Sequence, residues 1–135
     1  MRRYLLATAL LSMHAIALAQ AIPDRPIRRT EIIAAAKRQF AAIDTNHDGF
    51  VTREEFDRFR ASPAGHAAAA TQDPFDHVGG HWLEHADPDA TGRATLAMAE
   101  QHPLQLFDRF DLDHDGVLNL QERKLASAML ALTSR

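Results

Sequence analysis

Apolar side chains recur at three- and four-residue intervals in several separate stretches of the chain, the spacing of one face of an α-helix. Ile32, Ile33, Ala36, Phe40 and Ile43 form the first stripe, and Phe56 and Phe59 resume it after a break. Leu83 with Ala86, then Leu106, Phe107 and Phe110, and last Leu125, Met129 and Leu132 continue the pattern. The pattern predicts an all-α fold. The breaks between stripes are polar and acid-rich, at 44–55, 87–98 and 111–122. Thr52 with Glu55, and Asn119 with Glu122, supply capping signals that start a new helix after the first and last breaks.

Other segments lack this period. Residues 62–74, SPAGHAAAATQDP, read as a linker or a weak alanine helix. Pro103 lies between the second and third breaks, and proline removes a helix donor, so two short helices are expected there instead of one rod. Residues 20–29 carry Pro23, Pro26, Arg25, Arg28 and Arg29 and suggest a flexible basic leader. Before it, Arg2 and Arg3 precede an apolar run from Leu5, and Ala17 and Ala19 place small residues ahead of Gln20. That order is a secretory signal peptide with its processing site, too short and wrongly flanked for a spanning helix. The expected product is exported, periplasmic or secreted, with no stable membrane anchor after cleavage. The expected division is 1–19 signal peptide, 20–30 leader, 31–62 first helix-loop-helix unit, 63–80 linker, 81–102 second unit and 103–135 last unit.

The acidic breaks carry the chemistry. Residues 44–55 read DTNHDGFVTREE and residues 111–122 read DLDHDGVLNLQE. Both fit D-x-[DN]-x-[DN]-G, five residues, then Glu. A hard cation such as Ca²⁺ takes six to eight oxygens, so ligands at alternate positions must curl around one point. The candidate ligands of the first loop are Asp44, Asn46, Asp48, the carbonyl of Phe50, Thr52 through a water, and Glu55 with both oxygens. Those of the last loop are Asp111, Asp113, Asp115, the carbonyl of Val117, Asn119 and Glu122. Gly49 and Gly116 stand at the sixth position, where the chain must turn sharply.

These two segments resemble the loops of the EF-hand superfamily, and the chain is similar to small exported EF-hand proteins of bacteria in its close loop spacing. The resemblance implies two Ca²⁺ sites and short β-bridges between loops near Val51 and Leu118. Residues 87–98, DPDATGRATLAM, look like a third, degenerate loop with Asp87, Asp89, Thr91, Gly92 and Thr95 in ligand positions. Its twelfth residue is Met98, which offers no hard oxygen, so little or no Ca²⁺ binding is expected. It reads as a structural partner for a working loop.

Composition narrows the alternatives. The chain has no cysteine, which excludes disulfides, thiolate metal sites and a lipid-modified cysteine. A net charge of −3 implies no basic face for nucleic acid. No nucleophile motif or phosphate loop is present, so an enzyme is not expected. The function read from the sequence is Ca²⁺ binding by an exported sensor or buffer acting through a protein partner. Two rivals remain: a Zn²⁺ or Cu²⁺ binder using His81 and His85, four residues apart, and a structural adaptor with permanently bound calcium.

Overall fold

The computed structural model describes residues 25–71 and 73–133. The segment expected to be a signal peptide, with its processing site, lies outside the described residues. The order of elements is β1 (Ile27–Arg28), α1 (Arg29–Ile43), β2 (Phe50–Val51), α2 (Arg53–Arg60), α3 (Pro63–Ala70), α4 (Trp82–Ala86), β3 (Ala94–Thr95), α5 (Leu96–Phe110), β4 (Val117–Leu118) and α6 (Leu120–Thr133). Helices dominate, and the strands are two-residue bridges. Among the described residues, no helix is long and apolar enough to cross a membrane.

The bridges organise the loops into two pairs. β2 runs antiparallel to β3, with Phe50 opposite Thr95 and Val51 opposite Ala94, so the first loop pairs with the middle one. β4 runs antiparallel to β1, with Ile27 opposite Leu118 and Arg28 opposite Val117. The last loop therefore takes its bridge from the segment before α1, not from another loop. Residues expected to form a flexible leader are fixed at this point: Ile27 is buried, and the Arg29 N–H donates to the Gly116 carbonyl at 3.1 Å. Two-residue strands this small have no stability of their own, so packing of the surrounding helices holds them.

Each pair has a core. Phe40, Ile43, Val51, Phe56, Phe59, Val78 and Leu83 cluster around β2 and β3, with Trp82 packed against them and stacked on Phe56 at 5.7 Å. Ile27, Ile32, Phe75, Phe107, Phe110 and Leu118 cluster around β1 and β4. Helices α1 and α5 lie against one another and contribute to both clusters.

Three further expectations need correction. Residues 63–80 hold the alanine helix expected as the alternative to a linker, α3, and the rest of the segment is packed instead of merely connecting. Ser62 caps α3 by accepting from the Gly65 N–H, and Phe75 and Val78 are buried in the two cores. A Cβ at Gly65 would collide with the Phe59 carbonyl, so glycine is what lets α3 turn back so closely on α2. Second, α5 is one continuous helix with Pro103 inside it. The missing donor is tolerated because Thr95 caps one end and Ala99, Phe107 and Phe110 are buried along its length. The middle and last units thus share a helix, and no boundary falls at 102–103. Third, α6 buries Glu122, Arg123 and Ala126, whereas Leu125, Met129 and Leu132 are exposed. The inward-facing Glu122 at the start of α6 fixes which side of the helix meets the core.

Candidate metal centres

The three loops share one backbone. The fourth residue is left-handed in each (His47 φ 56°, Ala90 φ 52°, His114 φ 57°), and so is the sixth (Gly49 φ 84°, Gly92 φ 82°, Gly116 φ 79°). The glycine at the sixth position avoids the penalty that a Cβ incurs in this conformation. At the fourth position histidine is among the residue types that visit this region more often. Each loop begins at the C-cap of a helix with a buried aspartate: Asp44, Asp87 or Asp111.

That first aspartate organises the turn. Asp44 accepts from the N–H groups of Asp48 (3.2 Å) and Gly49 (3.0 Å), and Asp111 accepts from those of Asp115 (3.1 Å) and Gly116 (3.0 Å). Asp87 does the same with Thr91 (3.0 Å) and Gly92 (2.8 Å). Its carboxyl is held below the ordinary aspartate value chiefly by the Thr91 hydroxyl and also by these N–H groups, against the opposing effect of burial. The middle loop therefore keeps the backbone turn of the other two.

The twelfth residue separates the loops. Glu55 is 2% exposed, yet its carboxylate is fully engaged. One oxygen accepts from the Asn46 N–H and the Thr45 hydroxyl, both at 3.4 Å; the other accepts from the Thr52 N–H (3.0 Å) and hydroxyl (3.1 Å). Burial pushes the Glu55 carboxyl up, but these hydrogen bonds outweigh it and leave it below the usual glutamate value. Glu122 closes the last loop in the same way, accepting from the N–H groups of Leu112 and Asn119, both at 2.9 Å. In the middle loop Met98 stands in this place, and Thr95 only caps α5 by accepting from the Met98 N–H.

The last loop draws its acids together most clearly. One carboxylate oxygen from each of Asp111, Asp113 and Asp115 lies within 4.8 Å of the others. Oxygens on opposite sides of one Ca²⁺ are about 5 Å apart, given ligand distances near 2.3–2.6 Å, so this cluster fits a single ion. The Asp115 N–H lowers the Asp113 carboxyl, but burial and the charges of Asp115 and Glu122 outweigh it, leaving Asp113 above its ordinary value. In the first loop the Asn46 amide instead bridges to Asp48 at 3.1 Å, so the corresponding position adds no repulsion. Phe50 and Val117 lie in β2 and β4, at the seventh position of their loops. Thr52 and Asn119, at the ninth, both act as helix caps; the Asn119 side chain accepts from Gln121 and Glu122.

Some participants had no signal in the sequence. Arg123, directly after the candidate ligand Glu122, is buried against Asp73 at 2.9 Å and donates to the Arg25 carbonyl at 2.8 Å. The histidine pair read along one helix is also rearranged. His81 sits at the N-cap of the five-residue α4, and His85 stacks instead on His102 of α5.

A family model described as an EF-hand domain pair matches residues 33–126. No curated protein and no solved structure shows a significant match to the chain.

Proposed function

The chain belongs to the EF-hand domain-pair family, a calcium-binding family, and on that premise we propose that it is an exported protein with two working Ca²⁺ sites, 44–55 and 111–122, and a degenerate middle loop. The observation that carries the two sites is the engagement of Glu55 and Glu122. Each buried carboxylate starts a helix and also reaches back to the beginning of its loop, where it can close a coordination sphere. Met98 offers nothing equivalent. The β2–β3 bridge supports the reading of the middle loop as a structural partner of the first.

Binding is the activity proposed, not catalysis. The loop acids are committed as ligands in this reading, and a Ca²⁺ that they saturate leaves no open position for Lewis-acid chemistry. A role as a Ca²⁺-responsive sensor with a protein partner is supported by Leu125, Met129 and Leu132, exposed at four- and three-residue spacing on α6. Helix α6 starts at the last loop, so that surface is within reach of an ion there. With only Met98 and Met129 outside the signal segment, the surface suits a narrow partner more than a promiscuous one.

Calorimetric titration of Ca²⁺ into chelator-stripped protein tests the reading. Two binding events are expected. One or three would overturn the assignment of loops. Trp82 fluorescence and hydrophobic-dye binding then distinguish sensor from buffer, because a buffer barely opens when it binds.

A further inference from the structure

In the two complete loops a glutamate ties the helix that leaves the loop to the loop's beginning. The middle unit lacks that tie, and a different contact joins its two helices. His85 of α4 and His102 of α5 stack face to face, with ring centroids 4.0 Å apart and planes 6° from parallel. His85 is exposed and His102 half-buried. Along the chain, His85 lies two residues before the loop's first aspartate, and His102 lies four residues, about one helical turn, after Met98.

We propose that His85 and His102 form a binding site for one divalent transition-metal ion of imidazole preference, clamping α4 to α5 across the outside of the middle unit. Two imidazoles on one tetrahedral Zn²⁺ have nitrogens roughly 3.3 Å apart, from bond lengths near 2.0–2.1 Å. The stacked rings, with centroids 4.0 Å apart, are somewhat wider than that and must close slightly to share an ion. Lone pairs in parallel planes do not converge, so binding requires the exposed His85 ring to turn out of the stack about its Cβ–Cγ bond, aiming one nitrogen at the ion that His102 holds. Water fills the remaining positions. His102 is held below the ordinary histidine value by burial first, then by His85 and Arg109, which favours the neutral form that donates a lone pair. The ligands are nitrogens on two helices, whereas the loops offer oxygens. The site therefore selects a different class of ion and stands apart from the calcium reading.

The test is calorimetric titration of Zn²⁺ into the full protein held in saturating Ca²⁺, which keeps the acidic loops occupied. One Zn²⁺ event is expected, weakened at least tenfold in His85→Gln and in His102→Gln separately and unchanged in His66→Gln. Isotherms that match across all four proteins would overturn the site, as would an equal loss in the His66 variant, which would mean diffuse surface binding. Cu²⁺ bound to the unmutated protein gives a second reading should a variant not fold. Electron paramagnetic resonance should show two coupled imidazole nitrogens, and one or none overturns the proposal.

Discussion

Arg123 and Asp73 form an ion pair at 2.9 Å with side chains only 4% and 9% exposed, joining α6 to the segment that crosses between the two cores. Arg123 also donates to the Arg25 carbonyl, and Asp73 accepts from the Phe75 N–H. One guanidinium thus ties three distant stretches of chain together beside the last loop. Breaking a buried pair from one side is costly because the remaining charge is left uncompensated, by about 3–5 kcal/mol. Asp73→Asn keeps an acceptor for Phe75 but removes the balancing charge, so chemical denaturation should show a loss at the low end of that range. A loss below about 1 kcal/mol, the worth of an exposed pair, would mean that water reaches Arg123.

The bridge between β1 and β4 ties the segment before α1 to the last loop. Ile27 packs opposite Leu118, and Arg29 donates to Gly116 inside the loop. Ile27→Ala should cost about 2 kcal/mol, the lower end for such a truncation, since the site lies at the edge of its core. The change should also weaken Ca²⁺ binding at 111–122 more than at 44–55. Titration of the variant, with each loop silenced in turn by Glu55→Gln or Glu122→Gln, measures the two separately; an equal effect on both sites would contradict the assignment.

What was legible in the sequence follows from how local each constraint is. The loop turns at Gly49, Gly92 and Gly116 were readable because a single ion dictates ligand spacing within twelve residues. The stripe through Ile32, Phe40 and Ile43 was readable because α1 is long enough to show its period. Ile27 was not, since a two-residue strand has no period and its partner lies ninety residues away. Asp73, Phe75 and Val78 were missed for a similar reason: they are buried from an irregular segment, each for its own contact. Pro103 misled because helix continuity there is decided by tertiary packing around Ala99 and Phe107, which overrides the local penalty. The stacking of His85 on His102 joins two helices and could not be read along either.

Stability of the Ca²⁺-free protein should fall on mild acidification, with His102 as one source. Burial, His85 and Arg109 lower its pKa in the folded chain. A lowered histidine contributes stability that is fully present above the unfolded value of about 6.5 and is lost as pH falls through the folded value, because the unfolded chain takes up the proton first. Denaturation of chelator-treated protein between pH 7.5 and 5.5 should show a decline that is shallower in His102→Gln. Parallel declines in the two proteins would place the effect on other groups.

Restoring the middle loop is the most direct test of why it differs from the others. Met98→Glu supplies the missing carboxylate at a position where the backbone is already shaped, with Ala90 and Gly92 left-handed as in the complete loops. Thr95 can donate its N–H to the new side chain, as Thr52 does to Glu55. The loop's second residue is Pro88, which lacks the N–H that Leu112 gives to Glu122, so the carboxylate must rely on the Asp89 N–H, as Glu55 relies on Asn46. Thr91 still gives a neutral oxygen where Asp48 and Asp115 give charge. Calorimetry should therefore count a third Ca²⁺ in Met98→Glu, weaker than the other two, and Met98→Glu combined with Thr91→Asp should bind it more tightly. At a free Ca²⁺ of 100 times the new dissociation constant, the added site should raise stability by about 2.7 kcal/mol. An unchanged count of two in both variants would show that the loop's geometry, and not its twelfth residue, is what excludes the ion.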